Sequence, residues 1–108
     1  MVWDKSGLVD WFRKNEHRMV SMEVSEVSDF PLLQGRVSSV MELDVCSSIL
    51  TEATILLEVP LPSGHHEAYL TFHDGFIGIQ LLAEDGEPPA VSYEVPYSSL
   101  KLERLSLN

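Results

Sequence analysis

The sequence predicts an α+β chain, mostly β: a curved antiparallel sheet, a meander or half-barrel of six to seven strands, with one short N-terminal helix. Three observations predict it. Near the start, Leu8, Trp11 and Phe12 recur at helical spacing. From about residue 20 the apolar period changes to two and stays there through several runs. Asp74-Gly75 stands between two β-rich runs, a strong two-residue hairpin signature. Consecutive hairpins build an antiparallel sheet, and an amphipathic helix packs on its apolar face.

The helix is expected over residues 5–15. Leu8, Trp11 and Phe12 share one face. Asp4 or Ser6 can accept an orphan backbone N–H at its start. Arg13 and Lys14 suit the negative end of its dipole. Trp3 and Trp11 are expected to cover an open side of the sheet. Val20, Met22 and Val24 alternate with polar residues as the first strand. Ser28-Asp29-Phe30-Pro31 breaks it, and Gln34-Gly35 marks a second turn. In residues 36–45, Met41, Leu43 and Val45 point to the core, with Glu42 and Asp44 opposite. In residues 51–59, Ala53, Ile55, Leu57 and Val59 point inward, with Glu52, Thr54, Leu56 and Glu58 outward.

The Asp74-Gly75 turn fixes a register: Phe72 opposite Ile77, Thr71 opposite Gly78, Leu70 opposite Ile79. A type I′ turn there needs positive φ at both positions. One hairpin face then carries Ala68, Leu70, Phe72, Ile77, Ile79 and Leu81. The other carries Tyr69, Thr71, His73, Phe76 and Gln80. Residues 84–89 form an acidic loop. Residues 90–95 give a strand with Val91, Tyr93 and Val95 on one side. Residues 100–107 fit neither the helix nor the strand period.

The run from Ala68 onward, ending in Val95-Pro96-Tyr97-Ser98-Ser99-Leu100, resembles the later strands of PH- and GRAM-type domains over about forty residues. That resemblance implies a curved antiparallel sheet and a binding module. No basic cluster sits in a strand loop, so it implies no phosphoinositide site.

The 108 residues suit one domain, 1–108, with room for one modest core. The composition, 44% hydrophobic and 22% charged, excludes a disordered chain. Seventeen acids against seven bases give a net charge of −10. Between Arg36 and Lys101 there are ten acids and no Lys or Arg, so the middle of the chain carries the excess. This excludes a basic nucleic-acid-binding face and docking onto anionic lipid. The polar start is not a signal peptide, and no apolar run reaches transmembrane length. The single Cys46 cannot form an internal disulfide and is expected to be buried. A cytoplasmic location follows as the expectation.

No phosphate-binding, nucleotide-binding or nucleophile-elbow motif occurs. His65, His66 and His73 are expected to be solvated, because their spacing separates their faces. No metal, cofactor or catalytic site is expected. The expected function is protein binding: an immunity-type inhibitor that neutralises a basic toxin or nuclease, by presenting carboxylates where phosphates would lie. The candidate contact residues are Glu42, Asp44, Glu52, Glu58, Glu84, Asp85 and Glu87. Tyr69, Phe76 and Tyr97 are candidate aromatic anchors. The alternative is a PH-like adaptor that takes a peptide strand at a sheet edge.

Overall fold

A computed structural model of the chain describes residues 3–27, 29–83 and 89–105. Helix α1 spans Lys5–Lys14. Asp4 caps it by accepting the Gly7 N–H at 2.7 Å. Seven strands follow: β1 (Met19–Val24), β2 (Leu33–Val45), β3 (Ser48–Leu57), β4 (Glu67–Phe72), β5 (Phe76–Leu82), β6 (Val91–Pro96) and β7 (Leu100–Arg104). They form one antiparallel sheet in the order β6-β5-β4-β3-β2-β1-β7. The open question over residues 100–107 is answered for the described part: β7 is a strand, and it pairs with β1.

The two edge strands, β6 and β7, are consecutive in sequence. Only the 3-10 turn Tyr97–Ser99 separates them. Four Cα–Cα steps span at most about 14 Å, so the sheet must curl until its edges nearly meet. The result is a half-barrel with the core inside. Tyr97 sits at the closure. Its N–H donates to the Gly75 carbonyl at 3.3 Å, and its hydroxyl donates to the His73 carbonyl. The N–H of Ser25 donates to the Ser99 carbonyl at 2.8 Å on the other side. Tyr97 is therefore a buried latch, not the exposed anchor expected from sequence.

The interior follows the period-two pattern. Val20, Met22, Leu33, Val37, Ala53, Ile55, Ala68, Leu70, Phe72, Ile77, Ile79 and Val95 are all sealed from solvent. Leu8, Val9 and Phe12 of α1 fill the barrel, with Phe12 edge-on to Phe72 at 5.5 Å. Trp3 and Trp11 lie partly buried against this core. Gly35 does not mark a turn, because β2 already includes it. Its role is close approach: a Cβ there would lie 2.2 Å from the Leu56 carbonyl oxygen. Val59 falls beyond the end of β3 and is exposed, rather than continuing the inward face.

The β4–β5 hairpin has the register expected from Asp74-Gly75, with Phe72, Thr71 and Leu70 opposite Ile77, Gly78 and Ile79. Its turn differs in type. Gly75 has φ +85° but Asp74 is not left-handed, so it is not type I′. That backbone occurs elsewhere. Cys46 and Ser47 have φ +50° and +66° and join β2 to β3 in a two-residue turn. Cys46 is accordingly exposed at a hairpin tip, not buried.

β2 reverses the facing expected of its second half. A bulge lies between Val37 and Ser39, where Val37 opposes Ile55 and Ser39 opposes Thr54. Ser38 is the extra residue, and one extra residue inverts every later side chain. Val40 then lies opposite buried Ala53, and Glu42 lies opposite buried Thr51. Met41, Leu43 and Val45 turn to the outer face and are exposed.

Candidate partner-binding surface

Two features of the outside of the barrel are assembled from these elements. The first is an arm. β4 pairs with β3 only from Thr51 to Leu56, and β1 pairs with β2 only from Leu33 to Arg36. Residues 41–50 therefore extend past the rest of the sheet as a two-stranded ribbon. Its outer face carries Met41, Leu43 and Val45, with Leu50 opposite Leu43. Met41, Leu43 and Val45 are 45%, 39% and 49% exposed. Its inner face carries Glu42 and Asp44, with exposed Ile49 opposite Asp44. Contiguous exposed apolar side chains beside charged ones are the usual mark of an interaction site.

The second feature is the outer face of β3–β6. Cross-strand registers place Glu52, Thr54 and Leu56 of β3 beside Thr71, Tyr69 and Glu67 of β4. Gly78 and Gln80 of β5 come next, then Glu94 and Ser92 of β6. A shallow depression of about 210 Å³ lies among Tyr69, Thr71, His73, Gln80 and Glu94. His73 stacks on Phe76 at 4.6 Å. Glu67 and Glu94 flank this face, and no Lys or Arg occurs anywhere in these four strands. Across the sheet the pattern is different. Arg36 lies opposite Leu56 on β2, and Lys101 of β7 pairs with Glu23 of β1 at 3.9 Å.

The candidate residues from sequence do not form one patch. Glu42 is on the inner side of the arm, ion-paired with Arg13 of α1. Asp44 lies beside it, exposed. Glu52 is on the outer face but only 6% exposed. Glu58 is exposed just past β3, where its N–H donates to the Gln34 carbonyl at 3.0 Å. The common outward face expected for Glu42, Asp44, Glu52 and Glu58 is thus divided by the bulge. Tyr69 and Phe76 do share the outer face, both half-buried. Glu84, Asp85 and Glu87 lie outside the described residues.

Glu52 is an unusual group for an outer face. Its Oε1 is buried without a hydrogen-bond partner among the described residues. Tyr69 hydrogen-bonds its carboxylate. That bond, with burial and the nearby negative charge, pushes the Tyr69 hydroxyl up to about 12. Tyr97 is likewise pushed up to about 12, mainly by burial and then by the charge of Asp74. Both phenols therefore stay protonated throughout the neutral range.

Sequence reasoning missed Met41, Leu43 and Val45 as surface residues. A signal was present in Val37-Ser38-Ser39-Val40. Two adjacent polar residues between inward valines break strict alternation, as a bulge does.

A second, apolar pocket of about 260 Å³ lies among Pro31, Leu61, Pro62, Leu81, Val91 and Tyr93. His65 lines it and is buried, contrary to the solvated reading. Its Nε2 is 2.8 Å from the Pro89 carbonyl, which can only accept, so Nε2 carries the proton. Nδ1 then accepts from the Ser63 hydroxyl at 2.8 Å. This fixes the 60–65 turn against the segment before β6. The group behind His65 is a carbonyl, not a carboxylate. Among the described residues, no cluster of His, Cys, Asp and Glu could hold a metal. Among the described residues, no helix is long and apolar enough to cross a membrane.

Compared with known proteins, the chain matches no family model, no curated protein and no solved structure.

Proposed function

We propose that this chain is a small acidic protein-binding protein of the immunity type, which neutralises a basic toxin or nuclease by docking its outer face and arm onto it. The observation that carries this reading is the outer face of β3–β6, which has Glu67 and Glu94 around Tyr69 and no cation. A face of one sign steers an oppositely charged partner and rejects others. The adjoining arm supplies apolar area, about 1.5–3 kcal/mol for each large side chain fully buried. Half-buried Tyr69 and Phe76 are of the residue type that anchors such contacts.

The test is affinity capture from the source cell followed by kinetics. The expected captive is a protein of net positive charge whose nucleolytic or toxic activity falls on adding the chain at stoichiometry. Reversing Glu67 and Glu94 to Lys should slow association several-fold at low salt. An association rate untouched by the double reversal overturns the reading.

A further inference from the structure

The geometry points to the free edge of β2, residues 41–45, as a site that accepts an added β-strand of alternating apolar and basic residues from a partner. This rests on the basic-partner reading above and adds where the partner's backbone docks and what sequence pattern it carries.

The edge is open. β1 leaves β2 after Arg36, and only Val37 still bonds across, donating to the Arg18 carbonyl at 3.1 Å and accepting from His17. The Val40 N–H, next on that side after the bulge, donates to the Glu16 carboxylate at 3.0 Å instead of to a strand. By the two-residue repeat, the N–H and C=O groups of Glu42 and Asp44 point the same way. Among the described residues no strand pairs with them there. Such an edge is a ready template for strand addition.

The side chains beside the edge select the occupant. An added strand shares both faces of the ribbon. On the outer face it meets Met41, Leu43 and Val45; on the inner face it meets Glu42 and Asp44. Apolar residues at alternate positions complement the first set, and Lys or Arg between them complements the second. A second copy of this chain fits badly. In antiparallel self-pairing, any register that sets two or more of Met41, Leu43 and Val45 opposite apolar residues of the same set places Glu42 or Asp44 against an acid of the other copy, and like charges directly opposite are destabilising. Arg13 neutralises part of Glu42 through its ion pair, whereas Asp44 has no cation partner among the described residues. Asp44 is therefore the stronger selector.

The experiment uses the full chain and the exposed Cys46 at the arm tip as a handle. A cysteine-ended peptide of alternating Val and Lys is tethered to it by a disulfide, which gives an effective concentration of order millimolar. Two controls carry Glu in place of Lys, or N-methyl groups on the amides that would face β2. Amide hydrogen exchange is read by NMR. The Val/Lys peptide should slow exchange at Glu42 and Asp44 about tenfold or more, and neither control should. No slowing with Val/Lys, or equal slowing by all three, overturns the inference. If the peptide gives no protection while the outer-face reversals still slow a basic partner, the edge site falls alone. If Glu42 and Asp44 are protected while those reversals change nothing, the face-docking reading falls instead.

Discussion

In the β4–β5 hairpin, Leu70, Phe72, Ile77 and Ile79 are sealed inside the barrel. In the far half of the β2–β3 hairpin, Met41, Leu43, Val45 and Ile49 stand in solvent. Both stretches alternate apolar with polar residues, and both turn in two residues. What differs is their surroundings. β4 and β5 are flanked by β3 and β6 and covered by α1, whereas the arm runs past the ends of its neighbours. Alternation encodes two faces, but what covers each face is decided by strand length and by the bulge.

The contrast can be broken at its buried end first. Phe72→Ala removes an aromatic ring packed on Phe12 and should cost about 3–5 kcal/mol, read by urea denaturation. Gly35→Ala sits at the root of the same hairpin that forms the arm. Its Cβ would meet the β3 backbone, so β2 must shift, at about 1–3 kcal/mol. Loss of less than a few tenths would refute the close approach at Gly35. High pH gives an intermediate test of the closure. Folded Tyr69 and Tyr97 hold their protons up to about 12, against 10 for the ordinary group. Their contribution is complete below pH 10 and is lost as pH rises towards 12. The urea midpoint should fall in that window, and less so in Tyr69→Phe.

At the arm tip the effects shrink and change sign. Ser47→Gly relieves a left-handed residue and should stabilise by about 1 kcal/mol. The pair Met41→Ser and Leu43→Ser should cost about 1 kcal/mol, less than the core substitution, because these side chains are 45% and 39% exposed and lose only partial burial.

The same comparison shows what the sequence could tell. The β4–β5 register and its buried face were readable, because Asp74-Gly75 pins the pairing and strict alternation runs from Ala68 to Phe72. So were the helix, from Leu8, Trp11 and Phe12, and the antiparallel sheet. The facing of Met41, Leu43 and Val45 was not, because a single extra residue at Ser38 inverts the rest of the strand. Glu42 and Glu52 separated for the same reason: both follow simple alternation, but only β3 obeys it throughout. The hairpin at Cys46–Ser47 carries neither Gly nor Asn, so nothing local announced its left-handed turn. Closure by β7 depended on contacts between ends of the chain, which periodicity does not report.

The central claim is that the arm and the outer face are the surface through which this protein binds a basic partner. The most direct measurement compares the wild-type chain with the Met41→Ser, Leu43→Ser variant in capture of that partner from source-cell extract, with both proteins shown by urea denaturation to be fully folded under the capture conditions. The account predicts that the wild type retains a basic protein and the variant loses at least about nine-tenths of it, a change of about 1.4 kcal/mol or more in binding. Equal retention by the two chains would contradict it.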